Sequence, residues 1–173
     1  MQKVLILGCP GAGKSTFARR LHAVTGLPLH YLDRLWHRPD RSTAAPEDFD
    51  RALAQILAQD RWIVDGNYLR TLERRLQACD TVFFLDYPLA LCLAGVQARL
   101  GVPREDLPWV ETVLDEEFRQ EILDFPTVQR PQVMRLLAAA GDKHIVTFRT
   151  RGEAGCCLQR LAAQAAAGGK DPV

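Results

Sequence analysis

Apolar residues in this chain alternate between short unbroken runs and repeats at helical spacing. Val4-Leu5-Ile6-Leu7 is a compact aliphatic run and predicts a buried strand. Phe17, Ala18, Leu21 and Val24 then recur at intervals of three and four, the mark of an amphipathic helix. A second strand is predicted across Leu27 to Leu32. Ala45-Pro46-Glu47-Asp48 opens a helix, with proline at its first position and acids in its first turn. That helix runs to about Gln59 and carries Phe49, Leu53, Ile56 and Leu57 on one face. Arg61 to Val64 reads as a third strand ending at Asp65-Gly66, Leu69 to Ala78 as a short helix, and Thr81 to Leu85 as a fourth strand ending at Asp86. Pro88 starts a helix expected to reach Leu100, where Gly101 stops it. Helical stretches follow at Trp109 to Phe125 and Arg130 to Ala140, then a fifth strand at His144 to Phe148 and a last helix at Glu153 to Ala166. Alternating strands and helices predict an α/β fold with a mainly parallel sheet. Residues 1–167 are expected to form one domain and 168–173 a frayed tail. The polar, proline-bearing stretch 39–46 reads as a mobile loop.

Composition narrows the class without naming a chemistry. The 173 residues are 47% hydrophobic and 25% charged, ordinary for a globular protein, with a formal net charge of +1. Such a balance gives no global field for nucleic acid or membrane. No apolar run approaches the roughly 18 residues of a membrane helix, and Met1-Gln2-Lys3 leads directly into the first strand without a signal-peptide pattern. Five cysteines (Cys9, Cys79, Cys92, Cys156 and Cys157) lack metal-ligand spacing, so reduced thiols and a cytoplasmic setting are expected. Cys9 reads as a small filler residue.

The strongest chemical signal is Gly8-Cys9-Pro10-Gly11-Ala12-Gly13-Lys14-Ser15, placed between the first strand and the first helix. This is the Walker A pattern in the context it requires. Glycines at 8, 11 and 13 remove the Cβ atoms that would keep phosphate from the backbone N–H groups, and they permit positive φ. Pro10 bends the loop without an N–H of its own, and the N–H groups from Gly11 and Ala12 onward, with the positive end of the following helix, make an anion cradle. Lys14 is a point charge for β- and γ-phosphates, Ser15 a hydroxyl for Mg²⁺, and Thr16 a donor to the α-phosphate. The loop implies a nucleoside triphosphate, read as ATP, with Mg²⁺.

In an open α/β sheet, ligands sit beyond the carboxyl ends of the strands. Asp33, Asp65 and Asp86 stand at such ends. One acid should support Mg²⁺ beside Ser15, and the residues alone leave Asp65 and Asp86 both open. The blocks Tyr31-Leu32-Asp33-Arg34-Leu35-Trp36, Trp62-Ile63-Val64-Asp65-Gly66-Asn67-Tyr68 and Leu85-Asp86-Tyr87-Pro88, taken with the glycine loop, resemble the adenylate-kinase-like P-loop kinases known as DNA topology modulation proteins. The resemblance covers nearly the whole chain. It implies a three-layer α/β/α P-loop NTPase fold, nucleoside-monophosphate-kinase-like, with a five-stranded parallel sheet in the order 2-3-1-4-5 and a short lid. In that order strand 3 lies beside strand 1, which puts Asp65 first for the metal and Asp86 second.

The same resemblance implies an acceptor side. Asp33 would meet the phosphoryl acceptor and take or orient its hydroxyl proton. Trp36 and His37 would wall the site, and Asn67 and Tyr68 would reach the acceptor. The lid is expected after strand 4, with Arg99 as the transition-state arginine, Arg104 across Gly101 from it, and Gly101 as a hinge. The lid is short and sparsely basic, and Gly95 stands where adenylate kinases usually carry a nucleotide-holding arginine. Arg149 and Arg151 follow strand 5, where the family's loop packs on adenine. The expected function is ATP- and Mg²⁺-dependent phosphoryl transfer to a nucleotide, nucleoside or polar metabolite. The alternative is a nucleotide-binding regulatory protein associated with DNA topology, against which stand the near-zero net charge and the lack of a basic cluster. A GTPase switch would need an Asn-Lys-x-Asp segment after strand 4, and the chain has none there.

Overall fold

A computed structural model describes residues 1–168. Five strands, β1 (Lys3–Gly8), β2 (Leu29–Tyr31), β3 (Trp62–Asp65), β4 (Thr81–Leu85) and β5 (His144–Phe148), form one sheet in the order β2-β3-β1-β4-β5. Every neighbouring pair is parallel. The central strand explains its own position: Val4, Leu5, Ile6 and Leu7 are all fully buried, which only a strand covered on both faces allows. The edge strands are less apolar and are only half-buried.

Around the sheet lie α1 (Lys14–Thr25), α2 (Leu32–Trp36), α3 (Pro46–Leu57), α4 (Leu69–Ala78), α5 (Leu89–Gln97), α6 (Glu116–Asp124), α7 (Gln129–Ala138) and α8 (Arg151–Gly168). This is a three-layer α/β/α architecture, with the sheet order 2-3-1-4-5 that the resemblance implied. Helix α1 is held on the sheet by Phe17, whose ring centroid lies 5.1 Å from that of Phe83 on β4 and 5.5 Å from that of Phe148 on β5. The register then sets the site. Ile6 of β1 pairs with Asp65 of β3, and Gly8 with Leu85 of β4, so the glycine loop leaves the sheet between two strand ends.

Several boundaries differ from expectation. Strand β2 is three residues long, because the chain turns into α2 directly after Tyr31. Asp33 thus sits in the first turn of a short helix rather than at a strand end. Helix α5 stops at Gln97, before Gly101. Residues 109–115 are not helical: α6 starts at Glu116, where the Asp115 side chain caps it by accepting from the Phe118 N–H at 3.0 Å. Within 39–46 the chain makes a tight turn, with an antiparallel bridge between His37 and Thr43. Gly168 closes α8, and the rest of the expected tail, 169–173, lies outside the described residues. No helix among the described residues is long and apolar enough to cross a membrane.

Candidate active site

The glycine loop is shaped by what it packs against. Gly11 has φ +82°, and a Cβ there would lie 2.1 Å from the carbonyl oxygen of Cys92 on α5. Gly13 has φ +89° with open space around it, so its backbone conformation rather than crowding calls for glycine. Gly95 of α5 is a packing residue as well: a Cβ there would lie 2.1 Å from the Gly11 carbonyl oxygen. Close approach of α5 to the loop therefore leaves no room for a side chain at position 95. The same hypothetical Cβ would lie 3.2 Å from Arg151 Nη2, so a guanidinium from α8 already stands at that spot. Cys9 is buried in the loop at 2% exposure.

Lys14 begins α1 and curls back over the loop, donating from Nζ to the carbonyls of Gly8 at 2.9 Å and Cys9 at 3.2 Å. Asn67 ties the neighbouring strand end to the same point. Its Nδ2 donates to the Gly8 carbonyl at 2.8 Å, and its Oδ1 accepts from the Gly8 N–H at 3.1 Å. Asn67 lines the cleft, but its amide is engaged with the loop rather than free for an acceptor. Behind it, fully buried Arg75 of α4 donates to the backbone carbonyls of Gly66 (2.8 Å), Asn67 and Tyr68 (2.9 Å). This clamp holds Tyr68 at φ +33°, a strained value for a bulky residue.

The strand-end aspartates have separated. Asp65 is 5% exposed, lines the cleft with Ser15, and leaves Oδ1 without a hydrogen-bond partner. Burial pushes its carboxyl up to about 7; Lys14 and the Ser15 hydroxyl oppose this, and the charges of Asp33 and Asp106 add to it. Orphaned carboxylate oxygen beside a hydroxyl suits a hard, oxygen-preferring cation. Asp86 differs from its expectation. Arg130 holds it bidentately at 2.7 and 2.8 Å, Arg149 donates to it as well, and it is absent from the cleft lining. Its carboxylate is engaged by cations of the protein and lies away from the Ser15 side of the cleft lining, unlike the position expected of a metal residue. Arg149, spent on Asp86, is likewise outside the lining, whereas Arg151 is within it.

Across the cleft, of about 1500 Å³, Asp33 accepts from the Tyr68 hydroxyl at 2.9 Å. Burial and that carboxylate hold the Tyr68 phenol well above its ordinary value. Trp36 and Phe49 pack edge-to-face with centroids 5.6 Å apart, and Trp36 lies 6.2 Å from Tyr68, so Trp36 belongs partly to an aromatic floor. His37 meets Trp109 edge-on at 5.0 Å. Trp109 comes from the segment between α5 and α6, which lines the cleft where the lid is expected.

Sequence reasoning missed most of that lid's chemistry. Arg99 pairs with Glu111 at 3.3 Å, and Arg104 pairs with Glu111 at 3.0 Å and Asp106 at 2.9 Å. Burial lowers the pKa of Arg99, with the Arg104 charge adding to the effect. Gly101, at φ +76°, donates its N–H to the Glu111 carbonyl at 2.7 Å, so it shapes a turn inside the lid. Asp106 accepts from Ser15 Oγ at 3.1 Å. Arg34 Nε donates to the Glu105 carbonyl at 2.6 Å and fastens the lid to α2. No sequence pattern marks Asp106 or Glu111. Arg75 did leave a trace, as a lone charge within the stripe Thr71, Leu72, Arg75 and Leu76 that α4 buries.

No family model matches the chain. Adenylate kinase of Solanum tuberosum is 34% identical over 74 residues, 43% of this chain and 25% of that protein. Chloroplastic adenylate kinase 1 of Arabidopsis thaliana is 28% identical over 124 residues, 69% of this chain and 40% of that protein. The chain thus matches well under half the length of these relatives. Among solved structures, shikimate kinase from Acinetobacter baumannii in complex with shikimate superposes with a TM-score of 0.60 and 18% identity, over 99% of this chain and 97% of that one. The likeness is one of fold.

Proposed function

We propose that the chain transfers the γ-phosphoryl group of ATP to a hydroxyl of a small polar acceptor, with Mg²⁺ as the required ion. One observation carries this reading: the glycine loop with Lys14 and Ser15 opens on the same cleft as the buried Asp65 and the Asp33–Tyr68 pair. Partial identity to adenylate kinases and the shikimate-kinase fold support it.

The loop N–H groups from Gly11 to Thr16 bind the phosphates, and Lys14 leaves the Gly8 and Cys9 carbonyls for the β- and γ-oxygens. Ser15 and Asp65 would hold Mg²⁺, and the ion would offset charge on the phosphate oxygens. Asp33 orients the acceptor hydroxyl and takes its proton, with the Tyr68 hydroxyl fixing the carboxylate. Trp36 and Tyr68 wall the acceptor, and Asn67 braces the loop. Arg99 and Arg104 face the transferring group, and Glu111 holds them until it arrives. Arg151 approaches the nucleotide from α8.

Coupled ATP turnover over a panel of nucleotides, nucleosides and hydroxylated metabolites tests the reading. At least one acceptor should stimulate turnover, and Lys14→Ala should abolish it while leaving the melting temperature near that of wild type. Tight ATP binding with no stimulation by any acceptor would overturn it.

A further inference from the structure

The phosphoryl-transfer reading leaves one buried lid carboxylate unused. Asp106 is only 4% exposed. Its Oδ2 accepts from Ser15 Oγ at 3.1 Å and from Arg104 Nη2 at 2.9 Å, and Arg19 Nη1 stands 3.9 Å from its Oδ1. Glu111 serves Arg99 at 3.3 Å as well as Arg104 at 3.0 Å, so Asp106 shares the charge of Arg104 and meets the loop hydroxyl at the same time. What sets Asp106 apart is its approach to the Ser15 hydroxyl, 91 residues away in the chain.

A second, independent observation lies in the same cleft. Asp65, 5% exposed, keeps Oδ1 buried and unpartnered. A buried carboxylate oxygen needs a donor or a cation. Two buried carboxylates and a hydroxyl are hard oxygen donors of the kind divalent ions of the Mg²⁺ class take. Among the described residues no three acidic, histidine or cysteine side chains gather closely enough to hold an ion alone. The ion therefore needs further oxygens, and a nucleotide's phosphates supply them.

We propose that Asp106 is a lid-borne oxygen ligand of the nucleotide-bound divalent cation, joining Ser15 and Asp65. It rests on the phosphoryl-transfer reading and adds to it a link between lid closure and the metal: the ion arrives with the nucleotide, and the lid contributes a ligand only when closed. Arg104 and Arg19 keep the carboxylate aimed at the loop.

The test uses the full chain, Mn²⁺ as the probe, a non-hydrolysable ATP analogue, and free Mn²⁺ measured by electron paramagnetic resonance. Asp106→Asn should weaken Mn²⁺ binding to the analogue complex by about 10-fold, while the analogue in EDTA binds at least as well as to wild type. Asp106→Cys should shift the preference of that complex from Mn²⁺ toward Cd²⁺, since a thiolate is a softer ligand. Equal Mn²⁺ affinity in wild type and Asp106→Asn, with no Cd²⁺ shift in Asp106→Cys, overturns the proposal and leaves the phosphoryl-transfer reading standing. Asp106→Asn binding the analogue more tightly by the same factor with and without Mn²⁺ also overturns it, and makes Asp106 a latch. Wild type that takes up no Mn²⁺ with the analogue overturns both.

Discussion

Asp65 and Asp86 come from the same local pattern and meet opposite fates. Each ends an apolar strand, β3 and β4, and those two strands flank β1 on either side. Each is nearly buried, at 5% and 6% exposure. Yet Asp86 is claimed by Arg130 and Arg149, 44 and 63 residues further on, while Asp65 keeps an oxygen with no partner. Strand ends beside a P-loop are thus not equivalent, and burial does not separate them. What separates them is whether the chain itself delivers a cation. A buried carboxylate that lies off the cleft and is held bidentately by an arginine acts as scaffold; one in the cleft with an oxygen left short is open to a ligand's cation.

The largest effect should come from the segment that follows Asp65. Arg75→Ala removes a fully buried side chain and strands the carbonyls of Gly66, Asn67 and Tyr68. Stability should fall by about 3–5 kcal/mol in denaturant unfolding, from the cavity and the orphaned acceptors together. A loss near zero would show that the Asp65 end holds its shape without the clamp. Next comes Asp65→Asn, expected to lower turnover by about 100-fold with an unfolding midpoint at neutral pH no lower than wild type, because the cost of ionising an unpaired buried carboxyl has been removed. Asp86→Asn should do the reverse. Turnover per folded molecule stays close to wild type, and stability drops by about 2 kcal/mol as Arg130 and Arg149 lose their partner. That figure is below the range for fully buried pairs because both arginines are partly exposed, at 34% and 58%. If the two variants behaved alike, the comparison would collapse.

How much of this was legible depended on chain separation. The glycine loop is contiguous, and each residue type declares its purpose, so Gly8 to Ser15 could be read directly. The sheet order followed from family likeness, and the apolar runs placed every strand. Asp65 against Asp86 could not be settled locally, because the deciding arginines come from α7 and the end of β5. The lid was least legible. Residues 98–115 have no apolar period to read, since charged pairs such as Arg104–Glu111 organise them. A helix expected from Trp109 begins at Glu116 because Asp115 caps it there. Asp33 was displaced for a related reason: buried Leu32 pulls the chain into α2 immediately after β2, and a short helix has too few turns to show a period.

The effect of pH is the most specific to the unpaired carboxylate. In the unfolded chain Asp65 ionises near pH ~4, whereas in the folded protein burial holds it protonated up to about 7. Between those values the folded state binds the extra proton, so the free energy of unfolding falls as pH rises. The stability carried by the neutral carboxyl is complete below the unfolded value and lost as pH climbs through the folded one. Asparagine has no such proton to lose. In EDTA, the melting temperature of Asp65→Asn should therefore pull ahead of wild type between about pH 4.5 and about pH 7.5. Mg²⁺ with a non-hydrolysable ATP analogue at the upper pH should close the gap, because a cation at Asp65 stabilises the ionised form in wild type alone. A gap that is constant with pH would mean that Asp65, like Asp86, already has all the partners it needs, and the distinction between the two strand ends would then lie elsewhere.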